Sequence, residues 1–172
     1  MRDRTPEKHN ELRFVVDSML GSLARWLRML GYETEYDSKA DDNCLLRRSM
    51  ESESTLLTRD EELYNRALAK QLSTVFVLGE SDEARLGQLA TILGLSIDLD
   101  MAKARCPECG STLREISSSE AEAIVPESSL KLYNHFWKCS NSKCGKTYWM
   151  GSHVNNIQQT LEKARRLARE RS

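Results

Sequence analysis

What this chain of 172 residues lacks closes off several classes of protein at once. It has no apolar stretch long enough for a signal peptide or a membrane span, and Met1 to Asn10 are polar and mixed in charge. That absence predicts a cytoplasmic protein. No glycine-rich phosphate loop and no dinucleotide fingerprint follows the first predicted strand, which argues against a nucleotide-cofactor enzyme. Nor does Asp17 head an Asp-x-Asp pair, because residue 19 is methionine, so phosphotransfer through an aspartyl nucleophile is disfavoured.

Net charge is nearly absent too, at −1, but the total hides an asymmetry. Through residue 100 there are 13 Lys+Arg against 19 Asp+Glu, and beyond it 12 against 7. An acidic half is joined to a basic half, as expected where one part gathers cations and the other meets a polyanion; charged solvent-facing helices would give the same bias. With 40% apolar residues the chain has enough for a core, and its length allows one domain with an appendage.

The run Phe14-Val15-Val16-Asp17 is a short apolar strand that delivers a carboxylate to the start of a helical pattern. Leu20, Leu23, Ala24, Leu27 and Leu30 recur at three-and-four spacing, which predicts a helix over 18–30 stopped by Gly31. Further strands are expected at 33–36, 55–58 and 74–78. Helices are expected from 40 to about 50, after Asp60 to about 70, and from about 82 to 93 before Gly94. Strand and helix alternating with short links predict a parallel α/β sheet. In such a sheet the strands' exits share one edge, so Asp17 and Asp60, with Asp42 and Asp82 in later turns, are candidates for one acidic site. Oxygen ligands of this kind suit magnesium or manganese. Each aspartate also sits where helix capping alone would favour it. Arg25 and Arg28 share the polar stripe that starts beside Asp17, where guanidinium groups could hold phosphates.

Five cysteines are present. Cys106 and Cys109 form one close pair and Cys139 and Cys144 another, which in a chain without an export signal reads as a structural four-sulfur zinc site. Cys44 stands alone and is expected to be a small buried apolar residue. Around the second pair lie Trp137, Lys146 and Trp149, then His153; aromatic residues among lysines suit unstacked bases or else form the ribbon's own core. The core role is expected of Trp137. A final helix carries Lys163, Arg165, Arg166, Arg169 and Arg171, to lie on the acidic half or on nucleic acid.

Together these pieces resemble the Mut-seven C-terminal RNase family, PIN-like nucleases with an appended zinc ribbon. The resemblance is carried by Val16-Asp17-Ser18-Met19-Leu20-Gly21-Ser22-Leu23-Ala24-Arg25-Trp26-Leu27-Arg28-Met29-Leu30-Gly31-Tyr32, by Leu56-Leu57-Thr58-Arg59-Asp60, by Val125-Pro126, by the cysteine pairs, and by Tyr148-Trp149-Met150-Gly151-Ser152-His153. It implies a PIN-like three-layer α/β/α domain over 12–100, a zinc ribbon over 104–153 and a basic C-terminal helix over 154–172. It also implies that Asp17, Asp42 and Asp60 match the acidic positions of a ribonuclease site. The second cysteine pair departs from the family in its four intervening residues, and no clear fourth carboxylate appears; Asp82 is the candidate, with Glu62 and Glu80 behind it.

The expected function is a magnesium- or manganese-dependent endoribonuclease. Asp17, Asp42, Asp60 and Asp82 would hold the metal and Arg25 would offset charge on the phosphate. Arg25, Arg28, Lys146, Trp149, His153, Arg165 and Arg166 would contact RNA. The rivals are a non-catalytic RNA- or ribosome-binding protein on the same scaffold, and a DNA nuclease.

Overall fold

The computed structural model describes residues 12–170, so Arg171 lies outside the described residues. Four strands, β1 (Arg13–Val16), β2 (Glu33–Tyr36), β3 (Thr55–Thr58) and β4 (Thr74–Phe76), form one parallel sheet in the order β2-β1-β3-β4. The central strands are buried on both faces, which is why Phe14-Val15-Val16 and Leu56-Leu57 read as continuous apolar runs rather than alternating ones.

Helices cover both faces, as the expected three-layer fold requires. On one side α1 (Gly21–Met29) and α4 (Asp82–Leu93) pack Leu23, Leu27, Leu86 and Leu89 against Phe14, Val16 and Leu57. On the other, α2 (Asp42–Glu51) and α3 (Glu61–Ala69) pack Leu45, Leu46, Leu63 and Ala67 against Val15 and Leu56. Because β1 feeds α1 on the first face and β3 feeds α3 on the second, the chain parts between β1 and β3 at their C-terminal ends. That parting is where open α/β sheets place ligands.

The second sheet is antiparallel, β5 (Leu113–Ile116), β6 (Phe136–Cys139) and β7 (Thr147–Trp149), in that order. Two short helices, α5 (Ser118–Glu122) and α6 (Glu127–Leu130), lie between β5 and β6 and close its small core of Ile116, Ala121, Val125 and Phe136. The long α7 (Val154–Glu170) then returns to the first sheet and packs along α4, placing Leu161 and Ala164 in the main core. Gly87 permits the approach: a Cβ there would meet the Ala164 carbonyl at 3.0 Å. No helix among the described residues is long and apolar enough to cross a membrane.

The first predicted helix starts differently from its pattern. Ser18–Leu20 form a 3-10 turn and the α-helix begins only at Gly21, since Asp17 makes no capping bond to tie down the first amides. Gly21 is required there, because a Cβ would lie 2.6 Å from the Tyr36 hydroxyl, which itself donates to the Ser18 carbonyl at 3.0 Å. The fourth strand ends at Phe76, two residues early. Cys44, expected to be buried, is half-buried near Arg47.

Candidate active site and zinc centre

Asp17 is buried at the end of β1, with 6% of its surface exposed. Its backbone N–H bonds the Leu57 carbonyl of β3, and its side chain makes no capping bond to the helix it precedes. The Thr58 hydroxyl donates to Asp17 Oδ2 at 2.8 Å and accepts from the Asp60 N–H at 2.9 Å. One threonine therefore ties the two aspartates across the parting between β1 and β3. Ser18 adds a donor to Asp17 Oδ1 at 3.2 Å. Asp60 is also the cap of α3, accepting from the Leu63 N–H. Thr58 was not singled out in the sequence, although a hydroxyl two residues before Asp60 at a strand end was the available signal.

The other two carboxylates are held elsewhere. Asp41, not Asp42, caps α2, and Asp42 is the first helical residue, paired with Arg66 of α3 at 2.9 Å. Asp82 accepts from the Ser22 hydroxyl at 2.6 Å and the Trp26 indole at 2.9 Å, with Arg85 at 3.4 Å. Its role is to pin the start of α4 to α1. Glu80 pairs with Arg59 at 2.8 Å and Glu62 lies exposed in the first turn of α3. Among the described residues, the acidic groups do not form a set of three whose oxygens lie within 4.8 Å of one another.

Magnesium commonly takes only one or two carboxylates and keeps several waters, so the oxygen donors of Asp17 and Asp60 fit such an ion. Asp42 would join only if its pairing with Arg66 were given up.

The four cysteine sulfurs do form such a set. Cys106 and Cys144 are 3.7 Å apart and Cys109 and Cys139 3.4 Å, close to the edge of about 3.8 Å expected of a tetrahedron with 2.3 Å zinc–sulfur bonds. The positive φ of Gly110 (79°) and Gly145 (60°) turns each knuckle, the wider second one included. Burial pushes the Cys139 thiol up to about 12. At Cys109 burial is outweighed by hydrogen bonds from Ser111, and the thiol sits at about 6. The Tyr148 hydroxyl lies 3.1 Å from Cys106 Sγ, and burial together with that thiol raises its own pKa. The donor set suits zinc, with Tyr148 orienting one ligand.

Arg28 corrects the phosphate-binding expectation placed on it. It is 4% exposed, and its guanidinium donates to the carbonyls of Thr34, Pro107 and Glu108 at 3.0–3.1 Å. Burial lowers its pKa, partly offset by Cys109, Cys106 and Glu108. It therefore bolts the first cysteine knuckle to α1 and β2, which helical spacing conceals because Arg28 looks outward on α1 alone. Arg25 is exposed but pairs with Glu108 on the same knuckle. Arg165 pairs with Asp98 at 3.0 Å, and Lys163 lies 3.9 Å from Glu83, so both engage the acidic half. Arg166, Lys146 and His153 are exposed.

The two ribbon tryptophans exchange the roles expected of them. Trp149 packs against the ribbon core, tilted on Phe136 with centroids 6.2 Å apart, while Trp137 lies outside that core, stacked on His135. Register decides the matter: Phe136 faces Trp149 across the strand pair, and Trp137, one residue on, points to the opposite face.

A parallel three-layer α/β domain with two aspartates at its strand switch, followed by a four-cysteine ribbon, defines a class of small α/β proteins with an appended ribbon. The family model described as "Mut7-C RNAse domain" matches residues 12–161, most of the chain, and the protein belongs to that family. Membership indicates a nuclease or RNA-related role. No curated protein and no solved structure matches the chain.

Proposed function

We propose that the protein is a divalent-metal-dependent endoribonuclease whose centre is the Asp17–Thr58–Asp60 junction. The observation that supports this reading is the placement of Asp17 and Asp60 at the switch point of the sheet, one hydroxyl joining the Asp17 carboxylate to the Asp60 backbone N–H, in a chain of an RNAse-domain family. A magnesium or manganese ion held there would supply an activated water and neutralise charge at the scissile phosphate. Thr58 keeps Asp17 in one rotamer and fixes the backbone of Asp60, so the two acids are arranged before substrate arrives. Arg59 is anchored by Glu80 beside the same junction. The ribbon and the outward residues Lys146, His153 and Arg166 would contact RNA.

The test is cleavage of structured and single-stranded RNA by purified protein with and without manganese. Asp17→Asn and Asp60→Asn should each abolish cleavage while retaining the fold; full activity in both would overturn the assignment. A protein that binds RNA without cutting it is the second reading. It is favoured by the engagement of Asp42 with Arg66 and of Asp82 with Ser22 and Trp26, and wild-type protein that binds RNA but never cleaves it would establish it.

A further inference from the structure

A cavity of about 570 Å³ lies where the ribbon, α7 and the far end of α1 meet. Met29, the last residue of the nine-residue α1, lines it, whereas Asp17 precedes the start of that helix. At helical rise the two are separated by on the order of 18 Å, so the cavity is not the proposed catalytic junction. Its volume falls within the range of small-ligand sites. Tyr133 and Trp149 contribute aromatic rings, and Met101 and Met150 contribute polarizable thioethers. Among the described residues no carboxylate lines it. Arg105, held by its bond to the Gly110 carbonyl and lying 3.7 Å from Glu33, contributes a cation, and the exposed His153 an imidazole. Apolar walls that include aromatic rings, edged by one guanidinium and by polar groups, match a planar base attached to a phosphate.

We infer that this cavity takes one unpaired nucleotide of an RNA strand, its base against Trp149 and Tyr133 and its phosphate toward Arg105 and His153. The inference rests on the ribonuclease reading and adds a substrate class to it: RNA with a single-stranded nucleotide offset from the cleavage point. Base–aromatic stacking tolerates any sequence, so the site would select strandedness rather than a particular base.

The experiment is an abasic scan. A short single-stranded RNA is prepared with one base removed at each position in turn, and affinity is measured without added divalent ion. One position, several nucleotides from the cut made in manganese, should lose about tenfold or more in affinity, the scale of one stacked base. Met101→Trp, which narrows the cavity and crowds the position of the base, should weaken the intact strand to a similar degree and weaken the sensitive abasic strand little further. Melting temperature and zinc content report whether that variant is folded, and the scan decides alone if it is not. Intact RNA that is bound and cut with a flat scan would overturn the pocket assignment while leaving the ribonuclease reading in place. RNA neither bound nor cut would remove both. A base-removal loss that adds in full to that of Met101→Trp would also overturn the pocket, since it places the base elsewhere.

Discussion

Thr58 shows how much of the site depends on one side chain. It is wholly buried, it donates to Asp17 and it accepts from the Asp60 amide. Replacing it with valine conserves shape and removes the hydroxyl, leaving a buried carboxylate oxygen without that donor. Such an orphan costs about 1–3 kcal/mol, and more when the group is charged. Thr58→Val should therefore lower the unfolding free energy by that amount in a denaturant titration. It should also reduce manganese-dependent RNA cleavage more than it weakens RNA binding; unchanged stability would mean that Asp17 has another partner.

At the level of elements, α7 changes the account of the basic tail. Arg165 is paired with Asp98 and Arg166 is exposed, so a nucleic acid would meet mainly the second. Arg166→Ala should flatten the slope of log affinity against log salt by about 0.7 for single-stranded RNA. Arg165→Ala should leave the slope alone and cost at most about 1 kcal/mol of stability, as is usual for an exposed ion pair. The four parallel strands, their order of appearance and most bounds of the helices between them were legible in the sequence because apolar runs and stop glycines act locally, whereas the three ribbon strands and the short α5 and α6 were not. The four clustered cysteines were legible for the same reason, as short spacings. Long-range partners were not: nothing near Arg28 announces the carbonyls of Pro107 and Glu108, and nothing near Asp82 announces Trp26. Trp137 and Trp149 could not be ranked without the register of β6 against β7. The acidic junction was half legible, since chain order set Asp17 and Asp60 at one sheet edge but not the hydroxyl between them.

For the whole molecule, the first cysteine knuckle and the sheet domain are one mechanical unit through Arg28. Cys139→Ser should reduce bound zinc, measured by metal analysis, and also lower the melting temperature of the sheet domain followed by amide exchange at Val16 and Leu57. Zinc loss with an unaltered sheet would show that the knuckle is an independent appendage. Acid acts on a different set of groups. Asp37 is held below its ordinary 3.8 by the Lys39 amide, and Glu80, Glu83 and Glu120 below 4.5 by Arg59, by the Glu83 N–H and by Arg114 respectively. A lowered folded value adds stability that is complete above the ordinary value and disappears as pH falls through the folded one. The melting temperature should thus begin to fall below the ordinary glutamate value of 4.5, and the drop should shrink in Arg59→Gln, which frees Glu80.

The return of α7 to the first sheet has a consequence for how the protein is made. Synthesis is vectorial, so the nascent chain completes its last parallel strand at Phe76 long before Val154 leaves the ribosomal exit tunnel. Until then Leu86 and Leu89 lack the cover of Leu161 and Ala164. A product of premature termination in the ribbon would carry Asp17, Thr58 and Asp60 on an unsealed, protease-sensitive scaffold. Emergence of α7 is the licence for whatever chemistry that junction performs.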